Sequence, residues 1–260
     1  MHLSFSGIKD WKFCPFYYKL TRIDKLKAFQ GNIYTAFGTA LHTLCENAVL
    51  KENNVKHEEL FEKQYFIEMS KLPPEVIEEY DEDMYYKFLE QGKKISHLIY
   101  PELKNKFGDF KVVDAEYEIR EKIRNLDFDT TSQYDFVGYV DLIIKTGDTY
   151  HVIDWKTCSW GWDARKKADT MTTYQLSYYK HFVSEALGVP KENIKTYFAL
   201  LKRTAKKDNV EFVEVSNGEK KINNALKMLS DAVYNVDSER WLKNRLSCRT
   251  CAFHRTEHCP

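Results

Sequence analysis

The 260-residue chain has no excess of charge of either sign: 39 lysines and arginines balance 39 aspartates and glutamates, for a formal net charge of +0. A uniformly basic surface is excluded, so affinity for a polyanion must come from local patches. No run approaches the about twenty apolar residues of a membrane span, and no contact with a membrane is expected. Repeats and low-complexity tracts are missing too, which excludes a solenoid. Met1-His-Leu-Ser has neither the basic start nor the apolar stretch of a secretion signal. The six cysteines are therefore expected in a reducing compartment, the cytoplasm of a bacterial, archaeal or virus-infected cell. What is present suffices for a sizeable core, since 43% of residues are hydrophobic, and a single domain over 1–260 is expected.

Periodicity divides that domain. Residues 1–107 read as helical, with acids, lysines and aromatics at helical spacing from Glu58 to Tyr100, broken at Pro73-Pro74. Residues 108–236 read as α/β, with strands near 112–123, 134–144, 150–157, 194–201 and 210–215 and a helix over 218–236. Asn125 to Gln133 reads as a polar turn, and 237–260 as a cysteine-rich tail. The expected fold class is α/β, a mixed central sheet flanked by helices, with the N-terminal helices forming a lobe over the site.

The sharpest chemical signal is Gly138-Tyr-Val-Asp141 followed by Asp154-Trp-Lys156, on two strands joined by a turn at Gly147-Asp148. Asp154 and Lys156 are two apart and share a strand face, while Trp155 points to the other. Two carboxylates suit a hard cation such as Mg2+ or Mn2+, and a neighbouring lysine can orient an attacking water or help deprotonate it. The competing reading is a solvated hairpin or a structural ion pair. Against it, both aspartates sit within apolar strands, where an unpaired charge is costly. Gly38, His42 and Glu46 recur every four residues in a segment read as the opening of an apolar helix, and Gln175 and Tyr179 are four apart in another. His42 could equally be a core histidine, and Gln175 and Tyr179 could simply pack.

Glycine-x-x-x-histidine, glycine-x-x-aspartate, aspartate-x-lysine and glutamine-x-x-x-tyrosine, in that order, resemble the RecB-type branch of the PD-(D/E)XK nucleases. Ser4-Phe-Ser-Gly-Ile8 through Cys14-Pro15-Phe-Tyr-Tyr18 is similar to that family's opening segment, so the likeness runs nearly end to end. The resemblance implies a restriction-endonuclease-like core and a metal-dependent DNA exonuclease acting on single strands or ends. It implies Mg2+ or Mn2+ held by His42, Asp141, Asp154 and the Trp155 backbone carbonyl, with Lys156 acting on water and phosphate. Gln175 and Tyr179 would place the DNA. Glu116 would join the catalytic set, although Glu118 shares its strand parity. An endonuclease, or a processing subunit of a larger recombination or CRISPR-adaptation complex, is the alternative; a catalytically idle DNA-binding module with a structural metal site is the alternative of another class.

Three of the six cysteines crowd the tail as Cys248-Arg-Thr-Cys251 and Cys259, and Cys14 lies near the other terminus. Such a set offers four thiolates to one metal centre. The iron-sulfur nucleases that the chain resembles, of the AddB and CRISPR-adaptation types, imply a [4Fe-4S] cluster on Cys14, Cys248, Cys251 and Cys259. The seven-residue gap between Cys251 and Cys259 holds His254 and His258 and leaves Zn2+ as an alternative. Trp241, Leu242 and Phe253 are the expected apolar anchors of the tail, Cys45 reads as a small buried residue, and Cys158 is unassigned. Two basic patches, Arg165-Lys166-Lys167 and Lys202-Arg203 with Lys206-Lys207, are candidate DNA contacts or solvated turns.

Overall fold

Alternating apolar residues on the strands and apolar stripes on the helices allow helices to pack on both faces of one sheet. The computed structural model describes residues 1–50 and 56–260. In chain order, β1 (His2–Leu3), α1 (Phe5–Phe13), α2 (Pro15–Tyr18), α3 (Ile33–Leu50), α4 (His57–Ser70), α5 (Pro74–Ile77), α6 (Glu82–Ser96) and α7 (Ile99–Phe107) form the first part. β2 (Lys111–Lys122), β3 (Asp135–Thr146), β4 (Thr149–Cys158), α8 (Ala164–Ala168), α9 (Thr170–Leu187), β5 (Ile194–Lys202), β6 (Val210–Glu214) and α10 (Glu219–Asp237) follow. The five strands expected from sequence match β2 to β6 to within a few residues. β1 escaped because two residues carry no period. A further correction concerns Gly38: the helix begins at Ile33, so this glycine lies inside α3 and does not open it.

The sheet is mixed, with six strands. β1 pairs parallel with β3 and β4 parallel with β5, whereas β2–β3, β3–β4 and β5–β6 are antiparallel. Asp135 and Phe136 pair with Lys122 and Glu121 of β2 and with His2 and Leu3 of β1, so β1 must lie on the edge of β3 away from β2. β4 uses that same edge, from Leu142↔Ile153 to Thr146↔Thr149. Between the two, residues 137–141 of β3 have no strand on that side among the described residues. The sheet forks there.

Two cores cover its faces. On one, α3, α4, α6 and α7 pack against Leu142, Ile144, Ile153, Trp155 and Ala199. The N-terminal helices thus share a core with the sheet. On the other, α9 and α10 pack against Ile119, Phe136, Val140, Ile143, Val152, Phe198 and Leu200, with Ile8 of α1. Each strand residue pair i, i+2 should keep one face, yet Ala115 faces the first core and Tyr117 the second. Val140 and Leu142 opposite them switch likewise. The two strands turn over together at Glu116 and Asp141, and Glu116 takes a left-handed φ of 59° to do so. That conformation costs a residue with a Cβ about 1–2 kcal/mol. Among the described residues no helix is long and apolar enough to cross a membrane.

Candidate active site at the sheet fork

Asp141 stands where β3 and β4 part, and its side chain does the work of a missing ladder bond. Its Oδ2 accepts the Trp155 backbone N–H at 2.6 Å. The Trp155 main chain, whose carbonyl is a ligand that the family resemblance implies, is thereby drawn against Asp141, while the indole is buried in the core beneath α3. α3 delivers His42 to the same point, Nδ1 to Asp141 Oδ1 3.6 Å. The helix comes so close because residue 38 is glycine: a Cβ there would lie 3.3 Å from Thr157 Oγ1 of β4. Cys45, one turn along α3, is fully buried.

Glu116 completes the group. Ligand atoms of His42, Glu116 and Asp141 all lie within 4.8 Å of one another, the one such set of three or more His, Cys, Asp or Glu residues among the described residues. Glu118 points elsewhere and pairs with Arg120 at 3.1 Å. Strand parity could not separate these glutamates; the turnover at Glu116 does. One imidazole with two carboxylates is a donor set for Mn2+ or Mg2+. The charges also register each other. Burial and then Asp141 push the Glu116 carboxyl above its ordinary value. Burial opposes a charged His42, but the Asp141 carboxylate, with Asp154 behind it, outweighs that and raises its pKa.

Asp154 is 1% exposed and has its own retinue. Gln175 Nε2 of α9 donates to Oδ1 at 2.7 Å and also reaches the Tyr179 hydroxyl at 3.1 Å. Tyr179 can lie against β3 because residue 138 is glycine, where a Cβ would come within 3.1 Å of its ring. Lys156 Nζ pairs with the buried Oδ2 at 2.5 Å. Burial raises the Asp154 pKa, with Lys156 opposing. Burial works against the charged Lys156, but Asp154 outweighs it and holds the ammonium protonated. A lysine so held suits stabilisation of negative charge.

The basic patches divide. Lys167 and Lys202 share the Glu211 carboxylate, at 2.7 and 3.1 Å. Arg203 lies over the Phe88 ring, 4.1 Å from its centroid, and donates to Gln91 Oε1 at 2.8 Å, tying α6 to the end of β5. These three act within the protein. Arg165 and Lys166 are exposed on α8.

The cysteines gather at the joined termini. Cys14, Cys248, Cys251 and Cys259 line one small cavity with His254, and all six cysteines are free. Cys14 Sγ accepts the Asn244 N–H at 3.2 Å, while Asn244 Nδ2 and Ser247 Oγ donate to the Phe13 carbonyl at 2.8 and 2.6 Å. Trp241 stacks on Tyr18 and Phe253 packs near Tyr17, as the apolar anchors required. Leu242 corrects that reading: its side chain is 69% exposed, and it holds the tail through its carbonyl, which accepts the Phe16 N–H. Cys158 is half-buried, with its thiol pushed up to about 11 by burial.

The sequence profile described as the PD-(D/E)XK nuclease superfamily matches residues 2–259. No curated protein matches. Among solved structures, the chain is similar to a candidate exonuclease from Eubacterium rectale, with a TM-score of 0.60 at 11% identity, covering 94% of this chain and 85% of that one. It is also similar to the protein SSO0001, with a TM-score of 0.38 at 16% identity, covering 86% of this chain and 96% of that one.

Proposed function

The chain belongs to the PD-(D/E)XK nuclease superfamily, and from that premise we propose that it is a divalent-metal-dependent DNA exonuclease of the RecB-type branch, acting on single strands or ends. The observation that carries the reading is the fork itself: Asp141 capping the Trp155 N–H while His42 and Glu116 converge on it and Asp154 lies beside with Lys156. His42, Glu116, Asp141, Asp154 and the Trp155 carbonyl would hold Mg2+ or Mn2+. When bound, such an ion polarises the phosphate and lowers the pKa of a water. Lys156, kept protonated by Asp154, offsets charge developing on the phosphate. Gln175 holds the Asp154 carboxylate in place, and Tyr179 holds Gln175. Incubating the protein with end-labelled single- and double-stranded DNA, and with a closed circle, with and without Mn2+, tests the reading. Mononucleotide ladders from ends alone support it. Cuts in the circle indicate an endonuclease or a processing subunit of a recombination or CRISPR-adaptation complex, and metal-independent binding without turnover indicates an idle module.

At the termini, Cys14, Cys248, Cys251 and Cys259 would carry a [4Fe-4S] cluster. The four border one small cavity, a set of thiols that either this cluster or Zn2+ would use. Its part would be structural, tying the tail to the α1–α2 junction, and an iron and sulfide assay of anaerobically isolated protein decides between the two.

A further inference from the structure

The fork has a mouth. β1 runs on into α1, and β4 into the loop before α8, so the two arms of the fork diverge around a groove of about 480 Å³. Lys156 and Gln175, which grip Asp154, also line this groove, so it is continuous with the site proposed above. Its other walls bring Lys9 from α1 and Lys166 from α8.

Two features make the groove a track for a phosphate backbone. The first is charge. Lys9 and Lys166 face a single carboxylate, Asp169, and that group also caps α9, accepting the Thr172 N–H at 2.7 Å, while Lys156 is already paired with Asp154. In a chain with no net charge, this local excess of cations beside the reactive carboxylates is the concentration that binding a polyanion requires. Lys9 and Lys166 are exposed, unlike the patch lysines that Glu211 neutralises. The second is the apolar lining. Phe5, Met171 and Trp162 form it, with Trp162 braced on Phe198 at 5.0 Å between ring centroids and Lys166 lying 5.6 Å over the indole. Apolar walls below lysines accommodate bases and sugars while the cations meet phosphates.

We propose that this groove carries the strand adjoining the scissile phosphate, with Lys9 and Lys166 pairing with successive backbone phosphates from opposite walls. The proposal rests on the nuclease reading and adds the residues that guide its substrate. The test compares the wild type with a Lys9→Glu/Lys166→Glu double variant, using Ca2+ in place of Mg2+ and a fluorescein-labelled oligothymidylate. Binding by the double variant should weaken more than about tenfold, and the slope of log affinity against log salt should fall by about 1.4, the share of two phosphate contacts on a single strand. Hydrolysis of bis(p-nitrophenyl) phosphate, too short to occupy the groove, should be unchanged, and a Lys9→Arg/Lys166→Arg variant should bind as the wild type does. Unchanged affinity and salt slope in the charge-reversed protein overturn the groove and leave the nuclease reading standing. Equal loss on the small phosphodiester also overturns it, since the lysines would then act through the metal site. A wild type that neither binds nor cleaves DNA fails the nuclease reading itself.

Discussion

The molecule gathers metal-ligand chemistry in two places, and they are built differently. At the fork, an imidazole and carboxylates are carried by a central strand, its neighbours and a long buried helix, and their ligand atoms already meet. At the joined termini, four thiols border one cavity on short turns and a tail, without meeting. The fork is held by two hydrophobic cores that exist without any ion. The tail is tied to the opening helices by a few hydrogen bonds and by the rings of Trp241 and Phe253. A site framed by a core selects its occupant, whereas a site framed by loops is shaped by it.

The largest effect should come from the fork. Asp154→Asn and Lys156→Ala should each lower DNA cleavage by about a hundredfold or more, while oligonucleotide binding and the melting midpoint stay near wild type. Turnover at the wild-type rate in either variant would sink the assignment. The tail should respond in the opposite sense. Cys251→Ser should bleach a shoulder near about 400 nm, remove about four irons per chain, and lower the melting midpoint before activity on a short substrate suffers. A colourless wild type holding one zinc would keep the staple and reject the cluster.

Smaller effects sharpen the claim that the fork is prebuilt. His42→Ala should weaken Mn2+ binding by about tenfold or more, measured by calorimetry, with the fold intact. Early melting with an unchanged Mn2+ titration would make this histidine structural. Glu116→Gly should raise the stability of the metal-free protein by about 0.5–1 kcal/mol, since glycine accepts the left-handed φ without a clashing Cβ. Cleavage should fall at the same time, and Glu116→Gln should lose cleavage without that gain of backbone ease. Lower stability in the glycine variant would show that the strands do not depend on a strained residue at 116.

Much of the site was legible in sequence. Asp-x-Lys with period two places Asp154 and Lys156 on one face, and i, i+4 spacing joins Gln175 to Tyr179; both follow from local geometry. The basic runs look alike in sequence, and only the structure sets Lys166 apart from Lys167, Lys202 and Arg203, because Glu211 and Phe88, the partners of those three, come from distant segments. Lys9 carried no signal beyond its place in the opening segment.

By itself the sequence determined what short-range periodicity can encode: five of the six strands, the long helices, the turn at Gly147, and the residues able to bind a hard cation or supply thiolates. Only the tertiary structure decided which of them meet. Glu116 was separated from Glu118 by the turnover of two paired strands, and the mouth beside Lys9 was opened by β1 and β4 sharing one edge of β3. Those outcomes depend on contacts between segments far apart in the chain, where burial of two opposing cores and pairing of backbone groups across the sheet outweigh the local pattern.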